Sequence, residues 1–172
     1  MEDNKYFGSL LGIVFSSVMI LSGCSNYNVN SAHSVGKDKV ENISINAKNT
    51  SVNVNSRNYD EGVVQYAGNN FNKLFKSRIE NGTLYIEKTS EDKAEMEIVL
   101  PQDYKNDVNL DIKSTNGNVA FNGTIKVKDI SCKVENGDIT GDTVEADKAD
   151  LKTDSNHKVS IKNFDAKEKE IN

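Results

Sequence analysis

From Glu41 onward the chain alternates apolar and polar residues in short runs, and a period of two places one set of side chains on one face of a β-strand. Ile43, Ile45 and Ala47 form one run, Val52 and Val54 a second, and Val63 to Tyr66 a third. Asn49-Thr50 and the segment from Asn58 to Gly62 separate them with turn-forming residues. Ile79 to Ile86, split by Asn81-Gly82, predicts a hairpin, because both central residues tolerate the positive φ of a tight turn. Met96 to Leu100 predicts another strand, ended by Pro101, which lacks a ladder donor. Phe71, Leu74 and Phe75 are spaced three and four apart, which fits either one turn of helix or a loop carrying apolar anchors.

Beyond Val108 the pattern repeats. Asn116-Gly117, Asn136-Gly137 and Asn156-His157 stand at equal intervals of twenty residues, and Val119, Ile139 and Val159 follow at the same interval. A fixed period of this size marks stacked repeats. Leu110 and Ile112 match Ile130 and Cys132, whereas the third repeat offers Ala149, Leu151 and Thr153, one residue out of phase. That slip predicts a bulge or a tighter turn. Twenty residues that return the chain to the same lateral position make one coil of a β-solenoid, each coil rising about 4.8 Å. Inward Val, Ile, Leu and Cys build the core; outward Lys, Asp, Thr and Asn face water. Asn and Gly are expected at the corners because they tolerate positive φ and because Asn side chains can hydrogen-bond up the stack. His157 enters the left-handed region less easily than Gly, which predicts a different third corner. The expected fold is all-β: a short parallel β-solenoid or β-roll, with the earlier strands capping its first coil and extending its core.

The first forty residues read differently. The apolar stretch from Tyr6 to Leu21 falls short of the roughly 18 to 20 residues a comfortable span requires, and it closes on Leu21-Ser22-Gly23-Cys24. That tetrapeptide resembles the bacterial lipobox, in which Leu stands three residues before the lipidated Cys with small residues between. Residues 1–23 are therefore expected to be a lipoprotein signal peptide, with Leu21, Ser22 and Gly23 forming the lipobox and Cys24 carrying the lipid, a palmitate-type acyl chain. Residues 24–40 are expected to be a flexible tether with His33 solvated inside it, 41–166 the solenoid domain, and 167–172 a charged tail guarding an open strand edge. The net charge of −5, spread without long blocks of one sign, offers no basic face for nucleic acid. With the sulfur of Cys24 in a thioether, Cys132 has no intramolecular partner, and its alternation with Ile130 and Val134 predicts a small buried apolar residue.

The strands at Ile43 to Val54, the Asn-Gly-x-Leu-x-Ile unit at Asn81 to Ile86, the strand ending in Leu100-Pro101, and the Asn-Gly repeats at Asn116 and Asn136 together resemble the bacterial adhesin-like β-strand repeat family, DUF4097. The resemblance implies a right-handed parallel solenoid, a tethered or surface-exposed bacterial protein, and, for some members, a place in envelope-stress gene clusters. It carries over no catalytic residue. The residues agree: no Ser/His/Asp or Cys/His set is in a sensible context, and Asp138 and Asp142 lack the cleft that paired carboxylates need for glycoside hydrolysis. The calcium nonapeptide signature is absent, so neither a metal site nor a cofactor is expected. Tyr59, Tyr66, Phe71 and Phe75 either close the mouth of the solenoid or form a recognition patch. The expected function is a lipid-anchored, non-enzymatic envelope binding or adhesion-like module for a glycan, wall polymer or envelope protein. The alternative is an accessory or sensory lipoprotein of an envelope-stress system acting on a membrane protein. In a single-membrane bacterium either would sit on the outer face of the plasma membrane.

Overall fold

The computed structural model describes residues 32–36, 39–57, 62–102 and 107–172. Leu21, Ser22, Gly23, Cys24 and Tyr59 lie outside these residues. Twelve strands and one short helix follow in chain order: β1 (Ala32–Gly36), β2 (Asn42–Ala47), β3 (Thr50–Arg57), β4 (Val63–Gly68), α1 (Phe71–Leu74), β5 (Phe75–Glu80), β6 (Thr83–Lys88), β7 (Ala94–Pro101), β8 (Asn109–Asn116), β9 (Val119–Lys126), β10 (Asp129–Asn136), β11 (Ile139–Lys152) and β12 (Val159–Ile171).

They form one curled sheet with two ladders facing a common core. The first ladder runs β5, β6, β2, β8, β10 and the second half of β11; the second runs β1, β4, β7, β3, β9 and the first half of β11. β12 lies along both halves of β11. A strand of the first ladder, a corner and a strand of the second make one coil. The pairings within the stack are parallel, as a solenoid requires, and most inward positions continue a column of apolar side chains, Ser114 between Ala47 and Val134 being a polar exception. Ile43, Leu110, Ile130 and Ala149 form one such column; Ile45, Ile112, Cys132 and Leu151 form the next.

The order of the coils is not the order of the chain. The coil made by β2 and β3 sits between the later coils β6–β7 and β8–β9, with Asn42 beside Asn109 and Val52 beside Val119. β2–β3 and β6–β7 are therefore coils in their own right, and capping falls to the antiparallel strands β1, β4 and β5. α1 takes the helical option at Phe71–Leu74 and lays Phe71, Leu74 and Phe75 on the core. Phe71 stacks on Phe75 at 5.0 Å and meets Tyr66 at 5.5 Å with the rings tilted by 53°, making an aromatic lid over one end. The β5–β6 hairpin turns at Asn81 and Gly82 with φ of 49° and 71°, as their residue types predict.

Two boundaries differ from expectation. Ala32–Gly36, read as tether, is a strand paired with β4, because Val35 supplies an inward apolar side chain. His33 is not free in solvent: its ring stacks on Tyr66 at 5.2 Å and its Nε2 donates to Asn72 Oδ1 at 3.1 Å. At the other end, 167–172 is not a loose tail. The second half of β11 would otherwise lack a neighbour, and residues 168–171 pair with 148–151.

The slip in the third repeat is real, and its cause lies one coil earlier. β8 pairs with β10 at a separation of twenty residues, whereas β10 pairs with β11 at nineteen. Gly123, with φ of 76°, occupies an extra position in β9, and the β9–β11 register shifts between Gly141 and Thr143. The turn after β11 restores the period, since Ile139 pairs with Val159.

Candidate binding surface

The Asn-Gly corners proved to be architectural. Asn136 Nδ2 donates to Asn116 Oδ1 at 2.9 Å, and Asn116 Nδ2 donates to Asn49 Oδ1 at 2.5 Å, so three corner asparagines stack along the solenoid. Asn49 has φ of 52°, while Asn116 and Asn136 do not use the left-handed region. Their side chains, not their backbones, make asparagine useful there. Glycine is required for closeness: a Cβ on Gly137 would stand 2.4 Å from the Gly117 carbonyl oxygen, and one on Gly117 would stand 2.4 Å from that of Thr50. Asn156 and His157 do not join this stack. Their turn is closed by Asp154, whose carboxylate accepts from the Asn156 N–H at 3.0 Å and lies 2.6 Å from His157 Nδ1. The hydrogen bond with His157 holds the Asp154 carboxyl below its ordinary range.

The acidic residues near these corners serve the backbone and neighbouring cations. Asp138 accepts the Lys158 N–H at 3.0 Å. Asp142 accepts from Lys162 Nζ at 2.6 Å and from the Gly123 N–H at 3.1 Å, and these bonds, in that order, hold its carboxyl below the ordinary pKa range. Cys132 is buried at 1 % exposure, which pushes its thiol far above the ordinary value, with the charge of Asp111 adding to the shift. Among the described residues no cluster of His, Cys, Asp and Glu could hold a metal ion.

A concave feature lies elsewhere, on the outer side of the first ladder. A trough of about 600 Å³ crosses β2, β8, β10, β11 and β12. Three consecutive residues from each strand line it, and the middle residue of the first four points inward and is buried, so the floor is backbone. One wall carries Asn42, Asn109, Asp129, Lys148 and Glu168; the other carries Ser44, Asp111, Ser131, Asp150 and Glu170. Asn109 Nδ2 donates to Asn42 Oδ1 at 2.8 Å, fixing the first wall. Beyond the second wall a lysine row braces the carboxylates: Lys113 lies 3.4 Å from Asp111, and Lys152 lies 3.1 Å from both Asp150 and Glu170. These contacts raise the pKa of Lys152 and lower that of Glu170. Carboxylates outnumber cations in the lining, so the trough favours hydroxyl or amine donors and disfavours anions.

Sequence reasoning did not single out these residues. Their signal was the outward half of each alternating run, legible only once the 67-residue step from β2 to β8 is known.

A comparison with curated proteins gives no match. Among solved structures, a "putative adhesin" from Parabacteroides distasonis is 16% identical, covers 81% of this chain and 67% of its own, and has a TM-score of 0.46. A "putative cell adhesion protein" from Clostridium sporogenes is 13% identical over 79% of this chain and 93% of its own, with a TM-score of 0.43. The model of the Toastrack family, DUF4097, matches residues 40–172, which take in β2 to β12 and both walls of the trough. The chain belongs to the Toastrack DUF4097 family.

Proposed function

We propose that this protein is a non-enzymatic, adhesion-like binding module of the cell envelope, held at the membrane by a lipid on Cys24, and that the five-strand trough is its recognition surface. The trough is the observation that carries the reading. Five strands at about 4.8 Å spacing present a regular array some 19 Å long, suited to an extended polymer rather than a compact substrate. Ser44, Ser131, Asn42 and Asn109 both donate and accept hydrogen bonds, and Asp111, Asp129 and Asp150 accept them. That inventory fits the hydroxyls of a neutral or amino-sugar glycan and repels phosphate-bearing wall polymers.

Retention of the chain on insoluble wall glycan and on purified anionic wall polymer tests this directly. Saturable retention on glycan, lost when Ser131→Trp fills the trough, is the expected result. Retention of a single membrane protein with no polymer bound would replace the reading with the accessory, envelope-stress role. Growth with a labelled fatty acid tests the anchor separately: the wild type takes up label and Cys24→Ala does not.

A further inference from the structure

The two ends of the solenoid are finished differently. One is closed by the aromatic lid of Tyr66, Phe71 and Phe75. At the other, β12 pairs with β11 on one side and, among the described residues, with nothing on the other. Its inward residues Val159, Ile161, Phe164 and Ala166 pack on the core while remaining only partly buried, and Ile171 is 46% exposed. Such an edge ordinarily invites strand pairing, and lysines on it ordinarily discourage that pairing.

The pattern along β12 reverses this expectation. Its register with β11 makes Val159, Ile161, Phe164, Ala166, Lys169 and Ile171 the core-facing set. Inverted about Asp165, that set maps onto itself: Val159 meets Ile171, Ile161 meets Lys169 and Phe164 meets Ala166. The outward set is complementary under the same inversion, with Lys162 opposite Glu168 twice and Lys167 opposite Asn163. A random strand would match facing and charge under one inversion only by coincidence.

We propose that a second copy of this chain stacks end to end on this surface, the two β12 strands running antiparallel about a two-fold axis at Asp165. Such an interface is isologous, and closing both solenoids at once removes both open edges. The mismatches are Ile161 against Lys169 and Asp165 against its own copy, the latter a like-charge pair that weakens the dimer.

Sedimentation and thiol cross-linking of the full chain in detergent, in a Cys24→Ser background, test the pairing. Asp165→Cys places two thiols directly opposite and yields a disulfide-linked dimer on mild oxidation. Ser160→Cys, far from its own copy in this register, does not. Asp165→Asn tightens association by about two- to five-fold. The charge swap separates pairing between copies from pairing within one. Within the chain, Lys162 bonds Asp142 at 2.6 Å and Glu168 lies 3.3 Å from Lys148. Lys162→Glu and Glu168→Lys each weaken the dimer at least about five-fold, from two lost ion pairs per interface. The double variant restores it, although both internal pairs are then broken. A monomer at all concentrations, or a double variant as weak as the singles combined, overturns the proposal; circular dichroism of each variant verifies that the fold is retained.

Discussion

Replacing the two stacked corner glycines by alanine isolates the closeness of the coils from every other contribution. A Cβ on Gly137 would lie 2.4 Å from the Gly117 oxygen and 2.8 Å from its carbonyl carbon, both backbone atoms of the next coil. Neither can rotate away, so the coils must part, and overpacking of this kind costs about 1–3 kcal/mol. Gly117→Ala meets Thr50 backbone equally closely and also has φ of 137°, which adds about 1–3 kcal/mol of backbone strain. Gly123 has φ of 76° with open space around it, so its alanine variant costs only about 1–2 kcal/mol, from conformation alone. Gly36 has neither constraint, and Gly36→Ala is neutral or stabilising by up to about 1 kcal/mol. Urea unfolding followed by circular dichroism reads the series. With a slope of about 2 kcal/mol/M, Gly137→Ala lowers the midpoint by about 0.5–1.5 M, and Gly117→Ala lowers it further. A Gly137→Ala midpoint equal to that of Gly36→Ala, at unchanged slope, would refute the stacked-corner account.

The asparagine stack predicts that Asn116→Ala, which breaks two side-chain hydrogen bonds, costs about 1–2 kcal/mol by the same assay, while Asn156→Ala changes stability by less than about 0.5 kcal/mol. Phe71, 1 % exposed beneath the lid, should cost about 3–5 kcal/mol on truncation to alanine, and a cost near zero would mean the lid does not seal the core. Cys132 should resist maleimide at pH 8 in the folded chain and react fully in urea, because its burial holds the thiol protonated; rapid labelling of the folded chain would contradict that.

The later coils were legible because consecutive coils there are neighbours in space, so a 20-residue period appears directly at Asn116 and Asn136. The β2–β3 coil was legible as strands but not as a coil. Its partners stand 67 residues away, at Asn42–Asn109, Asn49–Asn116 and Asn55–Asn122, and no local period can reveal a distance set by an intervening excursion to the lid. The one-residue slip was visible at Ala149 and Leu151, yet its source at Gly123 was not, because an extra residue in one coil shows itself only where the next coil fails to match. Ser44, Asp111 and Asp150 drew no attention for a related reason. Surface polar residues carry no signal singly; they become a wall when register aligns them.

The correction at β1 bears on how the domain meets a membrane. If Cys24 carries a lipid, only seven residues separate it from Ala32, so the start of β1 stays within about 28 Å of the anchor. β1 lies at the lidded end of the second ladder, and the open edge of β12 lies six strand spacings away, about 29 Å. A single anchored solenoid can therefore stand with its open end outward. An end-to-end pair cannot, because its two anchored ends are then at opposite extremes, about 60 Å apart on the same spacing. Both lipids reach one bilayer only when the pair lies along it, bringing β12 down towards the surface. Energy transfer from a dye on Ser160→Cys to an acceptor in the bilayer should therefore be stronger for the chain than for a Phe164→Arg variant, whose buried charge keeps the open ends apart. Equal transfer from both would separate the anchor from the dimer and leave at most one of them standing.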